Sequence, residues 1–195
     1  TYSTRIKGVK NAGWWKRSMI LPLKQNQLDG LCGLMSAVNA LRFLFPDCLG
    51  DEEDPRTQEL VSKLVDFINS KQFDAFSYLW KNGCERDSVL SFLDFFKSEG
   101  FYFEVYNLGN RIKKTDEEGF WLEAREWLDE QSIIIAGFCD PDPHWTCIKH
   151  ISQNTLYHFD SSVYVWTSIS DTDTIHDKDD DWFFNRKDIF LIRRL

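Results

Sequence analysis

Two segments of this chain carry residues able to do covalent chemistry. In the first, Gln27-Leu28-Asp29-Gly30-Leu31-Cys32-Gly33-Leu34, a polar turn runs straight into an apolar helical pattern. The first N–H groups of a helix lack internal partners, and the helix dipole adds partial positive charge there. A cysteine in the first turn is therefore favoured as the nucleophilic thiolate. Asp29 is placed to cap that helix, leaving Cys32 in its first turn. The second segment, Pro143-His144-Trp145-Thr146-Cys147, is followed by Thr155-Leu156-Tyr157-His158-Phe159-Asp160. It supplies a base and a carboxylate to orient it.

The pairing of His144 with Asp160 can be tested by register. A three-residue turn at Ser152-Gln153-Asn154 sets Ile151 opposite Thr155 and Asp160 opposite Thr146. His144 then lies on the same face as Asp160, a diagonal neighbour at ~7 to 8 Å between Cα atoms, within reach of a carboxylate. A slip of one residue would send the two groups to opposite faces. His150, His158 and His176 carry no such partner in the pattern and read as solvent-facing. Trp145 could shield the Asp160–His144 contact from water.

A buried space-filling cysteine is the ordinary fate of a thiol, and it is the second segment that moves Cys32 away from it. A metal site at Cys139, His144, Cys147 and His150 matches no standard zinc spacing. On a strand, His144 and Cys147 would point to opposite faces. No metal and no cofactor is expected.

These groups need a helix to present Cys32 and a hairpin to present His144 and Asp160, and the surrounding pattern supplies both. Leu34, Met35, Ala37, Val38, Leu41, Leu44 and Phe45 go most of the way round a helix that Pro46 ends. Further helices are expected over Gln58 to Asn69, with Asp54-Pro55 as the start signal, over Asp87 to Glu99, stopped by Gly100, and over Phe120 to Asp129. Strands are expected over Phe101 to Tyr106, Ser132 to Phe138, Trp145 to Ile151, Thr155 to Asp160, Val163 to Ser168 and Ile189 to Arg193. Helices first and antiparallel strands later indicate an α+β fold. The acidic stretch from Asp171 to Asp181 lacks the spacing of a calcium loop and reads as a solvated connection.

The 195 residues, 43% apolar and 15% aromatic, suffice for one core and are read as a single domain, 1–195. With 23 basic against 31 acidic residues, the net charge of −8 argues against nucleic acid and anionic lipid as partners and favours a basic peptide or protein tail. No stretch approaches the roughly 18 to 20 apolar residues of a membrane span, and the N-terminus lacks the apolar core of a secretory signal. The chain begins at Thr1, which leaves open a trimmed, processed or partial polypeptide. Five cysteines, at 32, 48, 84, 139 and 147, form an odd, irregular set that fits reduced thiols, hence a cytoplasmic location.

Cysteine, then histidine, then carboxylate is the chain order of papain-type thiol hydrolases. Gln27 ahead of Cys32, Asn39-Ala40-Leu41 after it, and His144-Trp145 with Asp160 further on resemble the Josephin family of ubiquitin-cleaving cysteine proteases. The Gly30-Leu31-Cys32-Gly33 turn and the His144-to-Asp160 hairpin are similar to bacterial peptidase C39-like proteins. Asp160 stands where Josephin domains carry Asn. The resemblance implies a papain-like fold with the nucleophile at a helix N-terminus packed on an antiparallel sheet. It also implies a Cys32, His144, Asp160 triad, with Gln27 donating to the oxyanion and Gln25 as the alternative, and a protein or peptide substrate, ubiquitin or a ubiquitin-like tail among them. Two other readings stand beside it. One is a transglutaminase-like or deamidase activity on the same triad. The other is a noncatalytic binding module using an acidic, aromatic-rich surface that includes Trp14 and Trp15.

Overall fold

A computed structural model of the chain describes residues 21–23, 29–71, 79, 83–113, 116–139, 143–160, 165–174 and 182–195. Five helices and seven strands lie among these residues. Helix α1 (Cys32–Leu44) is buried along nearly its whole length, as its all-round apolar pattern requires. It stops one residue before Phe45, ahead of Pro46. A single 3-10 turn, Asp29–Leu31, leads into it, and Leu31 takes the N-cap position with no side-chain cap. The expected Asp29 cap is thus corrected: the turn continues straight into the helix and leaves Asp29 too far upstream to be the cap residue.

Helix α2 (Pro55–Lys71) begins at the expected proline and buries Thr57, Leu60, Leu64 and Ile68, a stripe spaced three or four residues apart. Helix α3 (Arg86–Ser98) buries Val89, Phe92, Leu93, Phe95 and Phe96. Gly100 follows at φ 93°, a left-handed conformation that a side chain would resist. A one-turn helix α4 (Leu108–Arg111) and an amphipathic α5 (Glu117–Trp127) complete the set, both capped from the preceding residue by Asn107 and Asp116.

The strands are β1 (Phe103–Asn107), β2 (Ser132–Phe138), β3 (His144–Ile151), β4 (Thr155–His158), β5 (Trp166–Ser168), β6 (Thr172–Asp173) and β7 (Trp182–Arg194). They form one sheet in the order β1-β7-β2-β3-β4-β5, each neighbouring pair antiparallel, with β6 added parallel to β7. The fold is therefore mixed α and β around an antiparallel sheet. Strand β7 is far longer than the expected Ile189 to Arg193, because its N-terminal part also pairs with β6 at Trp182 and Phe183 and with the end of β2 at Phe184.

Both faces of the sheet are covered. Ile133 and Ile135 of β2 join Trp145, Cys147, Phe159 and Phe190 against α1 and α3. Ile134 and Ala136 join Ile148, Leu156, Ile189 and Leu191 with Phe120, Trp121 and Ala124 of α5. A strand apolar on both faces does not choose its own register. The choice falls to β3, whose two faces differ: Trp145 and Cys147 are apolar partners for α1, while His144 and Thr146 are polar. The acidic stretch needs one correction as well. Asp173 is fully buried on β6 rather than solvated, while 175–181 lie outside the described residues.

Candidate active site

Cys32 is the first residue of α1 and is 4% exposed, so its sulfur sits at the dipole end of a thirteen-residue helix and almost out of water. His144 is the first residue of β3. Its Nε2 lies 3.0 Å from Asp160 Oδ2 and 3.3 Å from Oδ1, in a pair buried from solvent. The Cys32 sulfur also accepts a hydrogen bond from the ring. Since Nε2 is committed to Asp160, Nδ1 is the nitrogen left for the sulfur. Cys32, His144 and Asp160 are therefore brought together in the expected order, with the histidine in the middle.

Burial disfavours the charged imidazolium, but the Asp160 carboxylate and then the Cys32 sulfur, accepting from the ring, outweigh it and hold His144 up at about 9. These partners favour the protonated ring. Its outer face packs tilted against Phe138, 5.3 Å between centroids, on the strand opposite.

The hairpin that aligns His144 with Asp160 differs from the expected one in two places that offset each other. Ile151 faces Leu156, not Thr155, because the turn is one residue longer and closed by Ser152 N–H donating to the Thr155 carbonyl at 2.9 Å. A register shift between Ile148 and His150 then takes the extra residue back, so that Ile148 faces His158. From there the ladder runs on through Phe159 N–H donating to the Cys147 carbonyl at 2.7 Å. Asp160 arrives across from Thr146, as the site requires.

Several residues at the site were missed from sequence. His158 is not solvent-facing: it is 3% exposed, with Nδ1 3.0 Å from Thr146 Oγ1 and Nε2 2.9 Å from Thr167 Oγ1. Burial pushes it down to about 4, against the pull of Asp160. Its spacing of two from Asp160 on a strand was the available signal, since i and i+2 share a face. Cys84 lies against the nucleophile turn, its Sγ 3.8 Å from the Gly30 carbonyl. Burial and the neighbouring Cys32 sulfur push its thiol up to about 12. Gly33 is what lets Cys84 in: a Cβ at position 33 would fall 2.5 Å from Cys84 Cβ. Trp145 donates its indole N–H to the Cys84 carbonyl at 2.7 Å, tying that segment to β3. No local sequence pattern links Cys84 to Cys32.

Asn39 of α1 accepts from Leu23 N–H at 2.8 Å and donates to the Leu23 carbonyl at 3.3 Å, while Arg42 donates to the Leu21 carbonyl at 3.0 Å. The backbone just ahead of 24–28 is thereby fastened to the nucleophile helix. Gln25, Asn26 and Gln27 themselves lie outside the described residues, as do Trp14, Trp15 and His176. Cys147 is buried against α1 and His150 is exposed, and no group of three or more His, Cys, Asp or Glu among the described residues is arranged to hold a metal ion. No described helix is long and apolar enough to cross a membrane. Comparison with protein-family models, with curated proteins and with solved structures finds no match for this chain.

Proposed function

We propose that the protein is a papain-like thiol hydrolase that cleaves a peptide or isopeptide bond through a Cys32, His144, Asp160 triad. The supporting observation is one buried imidazole, from the second half of the chain, bonded both to a carboxylate and to a thiol that begins a helix. Burying an ion pair carries a desolvation cost that an apolar pair would avoid. A use for the charge offsets that objection better than fold stability does.

In this reading the Cys32 thiolate attacks the carbonyl carbon. A C–S bond forms and the C=O electron pair moves onto oxygen, where the Cys32 backbone N–H and the Gln27 side-chain amide donate to it. The pair returns, the C–N bond breaks, and the His144 proton goes to the leaving amine. Water then gives a proton to His144 and its oxygen to the acyl carbon, releasing the acid and restoring the thiolate. Asp160 orients the ring and stabilises its charge throughout. The substrate is a protein or peptide, with a ubiquitin or ubiquitin-like tail the version the sequence resemblance favours.

Mass spectrometry after treatment with a ubiquitin tail bearing an electrophile, with iodoacetamide in parallel, tests this. A covalent adduct at Cys32 that His144→Ala abolishes is expected. Iodoacetamide labelling of Cys32 no faster than that of exposed Cys48 and Cys139 would remove the activated nucleophile from the account.

A further inference from the structure

The nucleophile and its base sit on different layers, Cys32 on helix α1 and His144 on strand β3, so something must fix their separation. Apolar packing between α1 and the sheet is non-directional and tolerates small slides. A buried hydrogen bond does not, because leaving its carbonyl unpaired is costly.

Ser36 supplies such a bond. It lies one turn after Cys32 on the same face of α1, is 1% exposed, and donates its hydroxyl to the Trp145 carbonyl at 2.8 Å. Trp145 is the residue directly after His144. A second contact returns from the strand: Cys147 Sγ donates to the Ser36 carbonyl at 3.1 Å. Ser36 thus holds β3 through both its side chain and its backbone. A serine inside a helix ordinarily bonds back to its own preceding turn or turns to water. Alanine would be as small and a better helix former here. The hydroxyl instead reaches across to the sheet, one residue from His144.

We propose that Ser36 is a positioning residue, its hydroxyl setting the Cys32–His144 separation by holding the Trp145 carbonyl against α1. This rests on the thiol hydrolase reading, and its test needs no substrate. The rate of iodoacetamide addition at Cys32 is followed by peptide mass spectrometry from about pH 5 to about pH 9 for wild type, His144→Ala, Ser36→Ala and Ser36→Thr. Sucrose is present to keep marginal variants folded, and unfolding midpoints are measured alongside.

Ser36→Ala should move the profile toward that of His144→Ala by about one pH unit, about tenfold in rate on the acid side. Ser36→Thr, which keeps the hydroxyl, should restore the wild-type profile. A Ser36→Ala profile superimposable on wild type, whatever its unfolding midpoint, overturns the positioning role and leaves only a structural bond. So does a Ser36→Thr profile shifted as far as that of Ser36→Ala. If His144→Ala itself leaves the profile where wild type has it, the nucleophile reading fails and the clamp has nothing to position.

Discussion

His144 and His158 occupy the same hairpin, on facing strands, both almost fully buried, yet one is held up at about 9 and the other pushed down to about 4. Burial acts on both in the same direction. The difference lies in what each ring touches: His144 has a carboxylate within 3.0 Å, whereas His158 has only the hydroxyls of Thr146 and Thr167. A neutral imidazole suits two hydroxyls, one nitrogen donating and the other accepting. A charged one needs Asp160. Two copies of one side chain are thus held with opposite charge preferences by the groups each one touches.

The hardest blow to this contrast is Asp160→Asn. Without the carboxylate, His144 loses the larger of the two influences that oppose its burial and falls toward the region of His158. Turnover should drop ~10²- to 10⁴-fold, and the alkaline limb of the pH–rate profile should move down by about two pH units. In wild type that limb should lie near pH 9, because the proton delivered to the leaving amine is lost as pH rises through the value of His144. Kinetics across pH measure both. A limb that stays put in Asp160→Asn would mean that another group holds the charge.

A smaller effect should separate stability from activity. Folded His158, at about 4, refuses a proton that the unfolded chain accepts below about 6.5. Stability should therefore fall as pH drops through that window, by about 3 kcal/mol in all from this group. His158→Gln should flatten the slope of unfolding free energy against pH there, and denaturant melts at several pH values would show it. His144 carries the opposite sign. Its contribution is complete below about pH 6.5 and is lost as pH rises through about 9.

Least of all, Thr167→Val removes one of the two hydroxyl partners of His158 at nearly constant volume. It should cost about 1 to 3 kcal/mol of stability, since a buried ring nitrogen is left unpaired. It should leave the alkaline limb of activity unmoved. A shifted limb would show that the two histidines titrate together rather than as separate devices.

How far the sequence reached follows the same division between local pattern and partner. Ser132 to Phe138 was legible as a buried strand because seven small and apolar residues in a row have no other comfortable place. Cys32 at a helix start was legible because the turn and the periodicity adjoin. His144 and Asp160 were legible through a register argument whose end was right although its turn was not. What could not be read was what depends on a third element. His158 is buried because Thr167 of β5 and Thr146 of β3 close over it, and β5 cannot be docked from its own three residues. Ser36 and Cys84 matter through backbone carbonyls, which have no sequence signature. The length of β7 follows from its partners β6 and the end of β2, which its own composition does not announce.

The irregularity between Ile148 and His150 divides the β3–β4 hairpin into two parts with different freedoms. On the side of Ile148 and His158, adding or removing one residue would turn His144 or Asp160 through to the opposite face. On the tip side, from His150 round to Leu156, the bulge is already an accommodated extra residue, and the turn at Ser152 to Thr155 ends in exposed Gln153 and Asn154. The tip is thus the end where a change of length leaves that alignment in place, although it would give up the bond that the Asn154 carbonyl accepts from Ile169 N–H at 2.9 Å. A loop of another length there should leave the histidine and its carboxylate aligned, so one end of the hairpin can vary in length while the other cannot.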